Sequence, residues 1–119
     1  MDEAELEAAL RNAGIDVYDV ESVAPVELSY VTAHPGMDVN HMEMGRALNA
    51  FLDLAAADRW DPVRVEATVL RFEDDPMDTW HAEADWFEGL LDYRLSETEF
   101  STRVLETLGD GDSDGDAPA

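Results

Sequence analysis

Apolar residues over the first thirteen positions recur at helical spacing, with Leu6, Ala9, Leu10 and Ala13 on one face. Acids at Asp2, Glu3, Glu5 and Glu7 suit the positive end of a helix dipole, so residues 2–13 are predicted to be a helix. Gly14 is placed for the left-handed position of a Schellman ending, with Ile15 packing back on the helix. Ile15, Val17, Tyr18 and Val20 then suggest a short edge strand. After Pro25 the chain alternates: Val26, Leu28 and Tyr30 against Glu27 and Ser29, a half-buried strand running to Ala33. His34, Pro35 and Gly36 make a turn.

A second helix is predicted from Asn40 to Ala57, opened by the capping-box pair Asn40 and Glu43. Its apolar stripe is Met44, Ala47, Leu48, Phe51, Leu52 and Ala55. Val63, Val65, Ala67 and Val69 alternate with Arg64, Glu66 and Thr68, the clearest strand in the chain. Asp75-Pro76 reads as a helix start, with Trp80, Ala84, Phe87 and Leu91 lining one face as far as Tyr93. Ser96 and Glu99 form a further capping box, and Phe100, Val104 and Leu108 carry the last helix, ended by Gly109.

The predicted order is therefore α-β-β-α-β-α-α. The fold class is α+β: a small, mixed three-stranded sheet with helices packed mainly on one face. The helix joining the last two strands has the length of a crossover between parallel neighbours. The helix-covered face would carry Val26, Leu28, Val63, Val65 and Val69, and the other face Glu27, Ser29, Arg64, Glu66 and Thr68. Val31, Leu70 and Phe72 would share that second face, while Trp60 and Trp86 lie off the main stripes. Such leftover apolar groups either complete the core or are buried by a homodimer. Residues 1–108 are read as one domain and residues 109–119 as a disordered acidic tail, since the tail has no large apolar residue.

Composition changes what this domain can do. The 119 residues contain 29 acids and seven basic residues, for a net charge of −22. Every basic residue is Arg, and Lys, Gln and Cys are absent. Self-repulsion on that scale opposes a compact state in dilute buffer, but at about 1 M salt the Debye length falls to ~3 Å and the repulsion is screened. The composition points to a cytosolic protein of an organism that keeps molar salt inside its cells. The acidic N-terminus is no signal peptide, and no apolar run reaches the ~20 residues of a membrane span. A cytoplasmic location is expected, with no membrane partner. Seven dispersed Arg form no basic stripe, so no direct nucleic-acid partner is expected.

Candidate chemistry is sparse. Absent Cys removes thiolate chemistry, and no Gly-x-Ser-x-Gly elbow or phosphate-binding glycine loop occurs. Asp110, Asp112, Asp114 and Asp116 with Gly115 match the first half of a calcium loop, but Glu at its twelfth position is missing. His34, in the turn, and His41 with Glu43, at a helix start, are the candidate metal or acid–base set. Capping and surface roles compete with that reading. His81 and Glu83 form a His-x-Glu pair, whose two-residue offset does not share one face of a helix. No cofactor is expected.

The Lys-free acidic composition, the pair Trp80 and Trp86, and the run Leu95-Ser96-Glu97-Thr98-Glu99-Phe100 resemble small uncharacterised proteins of halophilic archaea across residues 1–108. The resemblance implies no activity or catalytic residue. The expected function is a non-enzymatic interaction or adaptor domain, self-associating as a homodimer or binding another protein. The competing expectations are a small-molecule- or metal-binding protein or enzyme built on His34, His41 and Glu43, and a regulator acting through a protein partner.

Overall fold

Asp2 opens the first helix by accepting from the Glu5 N–H, while the Glu5 carboxylate accepts from the Asp2 N–H. The reciprocal box satisfies two donors that helix geometry otherwise leaves without partners. This helix, α1, spans Glu3–Asn12 in the computed structural model, which describes residues 1–34, 39–73 and 75–108. It ends as its sequence predicts: Gly14 has φ +91°, and the Ile15 N–H reaches back to the Leu10 carbonyl at 3.0 Å.

The chain continues through β1 (Asp16–Val23), β2 (Val26–Val31), α2 (His41–Ala56), β3 (Val65–Phe72), β4 (Asp75–Ala82), α3 (Ala84–Leu91) and α4 (Glu97–Leu105). The strands form one sheet in the order β1-β2-β3-β4. β1 and β2 are an antiparallel hairpin, β2 and β3 run parallel across the α2 crossover, and β3 and β4 are antiparallel. The α+β class and mixed sheet agree with expectation.

The sheet has four strands, however, where the sequence suggests three, and the order is α-β-β-α-β-β-α-α. The difference lies wholly in residues 75–82. Asp-Pro is a strong helix-start signal, and Trp80, Ala84, Phe87 and Leu91 sit at helical spacing. Yet Trp80 and Ala82 are buried while His81 between them is not, which is strand alternation. Pairing with β3 and burial of the Trp80 indole override the local signal. Pro76 is tolerated because β4 is an edge strand and the register shifts beside it. Only the second half of the predicted helix is helical, as α3.

Strand register sorts the two faces into rows. On one face Val23–Val26–Val65–Ala82, Val20–Leu28–Ala67–Trp80 and Val17–Tyr30–Val69–Asp78 lie side by side. Apart from Asp78, these strand residues join Leu6 and Leu10 of α1, Met44, Leu48 and Phe51 of α2, Phe87 of α3, and Phe100 and Val104 of α4 in one core. Full burial of each large side chain contributes about 1.5–3 kcal/mol. Trp60 belongs here too, 7 % exposed, with its ring 4.9 Å from Phe51 and edge-on to Phe87 at 5.2 Å. It therefore fills the domain's own core.

The crossover is fixed by a buried carboxylate. Glu43, 1 % exposed in the first turn of α2, accepts from the Thr32 hydroxyl at 2.6 Å and the Ala33 N–H at 3.0 Å. Its own N–H donates to the Asn40 side chain at 2.8 Å, which is one half of the capping box expected from the sequence; the carboxylate that would close the other half is turned to Thr32 and Ala33 instead. α4 starts with the Ser96–Glu99 box, also as expected. The acidic tail at residues 109–119, its calcium-like run, and Pro35-Gly36 of the predicted turn lie outside the described residues.

Candidate interaction surface

The second face of the sheet follows from the same register. Its rows are Ser22–Glu27–Glu66–His81, Asp19–Ser29–Thr68–Thr79 and Asp16–Val31–Leu70–Pro76. No strand residue of these rows belongs to the main core cluster. The face therefore grades from charged, through hydroxyl-bearing, to apolar. Val31 and Leu70 share it, as the alternation predicts. Leu70 is only 6 % exposed, and Phe72, two residues further along β3, is 62 % exposed.

The charged end is organised by Arg64, just before β3. Its Nε donates to Glu66 at 2.8 Å, and one terminal nitrogen donates to Glu83. The Glu66 hydrogen bond is the main influence raising the guanidinium pKa, opposed by burial and reinforced by Glu83. Glu83 is the N-cap residue of α3, but its side chain makes no cap bond and turns to Arg64 instead. The same carboxylate lies 3.4 Å from His81 Nε2. The His81 ring is stacked on Trp86, with centroids 5.9 Å apart and planes 23° apart. Thr107 accepts from the His81 N–H at 2.8 Å and lies 3.2 Å from its carbonyl, which fastens the chain after α4 to the sheet edge. A cavity of about 360 Å³ opens among Arg64, Glu66, Thr68, Thr79 and His81.

A family model described as "Domain of unknown function (DUF8159)" matches residues 1–114. The chain belongs to this family. No curated protein and no solved structure matches it. Membership in DUF8159 agrees with the expected likeness to uncharacterised proteins.

In this DUF8159 domain the histidines and Glu43 are placed as follows. His34 and His41 are exposed. The His34 N–H donates to the Thr32 hydroxyl oxygen at 3.0 Å, and His41 is the first residue of α2. Glu43 is buried, with its oxygens taken by Thr32 and Ala33. Among the described residues, no group of three or more His, Asp or Glu side chains is arranged to hold a metal ion. No described helix is long and apolar enough to cross a membrane.

The constellation that sequence reasoning missed is Arg64–Glu83–His81. His81 and Glu83 are two residues apart, a spacing that separates side chains on a helix but brings them to one side of a strand. Alternation through Thr79, Trp80, His81 and Ala82 carried the signal. Placing those residues on a helix set His81 and Glu83 on different faces instead. Trp86, off the stripes in sequence, is half-buried against His81.

Proposed function

We propose that this DUF8159 chain is a non-enzymatic interaction module of the cytoplasm of a salt-in halophile, and that it meets its partner through the second face of its sheet. The single observation that carries the reading is the apolar end of that face, where half-exposed Val31 lies beside Leu70, which the chain itself already buries, and leads to exposed Phe72. Apolar groups concentrated on one otherwise polar face are what a protein partner buries. The charge of −22 without Lys supports a molar-salt setting, where the Coulomb barrier to association is screened.

Size fractionation of a lysate kept in molar KCl tests the reading. The chain is expected to elute well above its monomer mass, and a folded Val31→Asp variant at monomer mass. Elution of the wild-type chain as a monomer from an undiluted lysate would contradict it.

A further inference from the structure

Thr79 carries a hydroxyl oxygen that is buried and, among the described residues, has no hydrogen-bond partner. A buried hydroxyl in that state costs free energy, and native structures hold few of them. Register places Thr79 directly opposite Thr68 on the second face of the sheet. Both threonines line the cavity of about 360 Å³ whose wall includes Arg64, Glu66 and His81. That volume lies at the low end of the ~300–1,000 Å³ of small-molecule sites. The wall is already cross-linked, since Arg64 donates from Nε to Glu66 and from a terminal nitrogen to Glu83. A guanidinium carries five N–H groups and a carboxylate about four lone-pair sites, so donors and acceptors are both left over.

These groups select the chemistry of an occupant. An anion would face two carboxylates against one guanidinium, in a chain of net charge −22. A cation would have to draw Glu66 and Glu83 away from the charge-assisted bonds they make with Arg64. A neutral hydroxyl group avoids both costs, because it donates and accepts at once. Neighbouring hydroxyls on one molecule accept from Arg64, donate to Glu66 and pair with the Thr79 hydroxyl. We propose that this cavity binds a small neutral polyhydroxy molecule, a monosaccharide or a cyclic polyol, with Arg64, Glu66 and Thr79 as its polar contacts. The site lies at the charged end of the face and does not depend on a protein contact at the apolar end.

The experiment titrates the full chain in molar KCl with D-glucose and with myo-inositol, followed through the amide signals in NMR spectra. Saturable shifts are expected at residues 66–68 and 79–81, with dissociation constants in the millimolar range. Doubling the KCl concentration should leave those constants within about twofold, because no net charge enters the site. Thr79→Ser keeps the hydroxyl and should bind as wild type does. Thr79→Val keeps the shape and should bind about fivefold more weakly, yet melt no lower than wild type, since it removes a hydroxyl that has no partner. Shifts that rise without saturating, equal binding by Thr79→Val, or an equal loss in Thr79→Ser would overturn the site. A Thr79→Val chain that melts below wild type would give the hydroxyl a partner within the chain, which overturns it as well. Saturation by inorganic phosphate or magnesium chloride, but by neither neutral probe, would overturn the assigned chemistry.

Discussion

The Thr32 hydroxyl donates to the Glu43 carboxylate at 2.6 Å, tying the end of β2 to the first turn of α2 where both are buried. With Ala33 donating to the other oxygen, the pair closes the crossover that makes β2 and β3 parallel neighbours. Thr32→Val keeps the shape and removes the donor, leaving one carboxylate oxygen buried without it. The expected loss is about 2 kcal/mol, the scale for hydrogen bonds to a charged group. Glu43→Gln is expected to lose less, because the amide oxygen still accepts from the Ala33 N–H and its NH₂ can donate to the Thr32 hydroxyl, so only the charge-assisted part is lost. Urea unfolding in molar KCl measures both, and wild-type stability in both variants would contradict the assignment.

Burial lifts the Tyr30 phenol well above its ordinary pKa; the Trp80 indole N–H, 3.2 Å away, pulls it down, and the Glu43 charge raises it further. The folded state thus holds the phenol proton more tightly than the unfolded chain does. The resulting stability is fully present below the ordinary tyrosine value of ~10 and falls as pH rises above it, by at most about 1.4 kcal/mol per pH unit. In an alkaline titration the absorbance difference between wild type and Tyr30→Phe is expected to stay flat until the chain unfolds. A separate Tyr30 step in the folded protein would refute this.

Two backbone positions invite stabilisation. Tyr93 follows the α3 cap with φ +63° and is 94 % exposed, so its side chain gains no burial in return for the left-handed strain. Tyr93→Gly is expected to stabilise by about 1 kcal/mol. Gly45, inside α2, has nothing within 4 Å of an added Cβ, so Gly45→Ala should stabilise by roughly 1 kcal/mol through helix propensity. Gly89 is the control: its Cβ would meet Leu95 at 3.1 Å, and Gly89→Ala should gain less than Gly45→Ala. Melting temperatures of the three variants at one salt concentration decide the ranking.

A net charge of −22 opposes compaction of the domain in dilute buffer. Unfolding is expected to be much easier in ~0.1 M salt, where the Debye length is ~10 Å, than in molar KCl, where it is ~3 Å. Equal denaturation midpoints would remove the basis for a halophilic setting.

Much of this architecture is legible in the chain because local signals and burial agree there. Asp2, Gly14, Asn40 and Ser96 cap as their residue types require, and Val26–Leu28–Tyr30 and Val65–Ala67–Val69 alternate into the core. Residues 75–82 mislead because Asp-Pro speaks for a helix locally, whereas pairing with β3 decides the outcome and depends on residues distant in sequence. The same error hid the Arg64–Glu83–His81 cluster, since its spacing makes sense only on a strand. The Val31–Leu70 row was legible because two strands with clear alternation need only be set in parallel to place it.

The central claim is that the second face of the sheet is where the chain meets another protein. Affinity capture in molar KCl with wild type, Val31→Asp, and Glu88→Ala on exposed α3 surface tests it most directly. A specific bound species, either a second copy or another protein, is expected on wild type and Glu88→Ala and to be lost on Val31→Asp, with circular dichroism showing all three folded. Retention of the same species by Val31→Asp would contradict the claim.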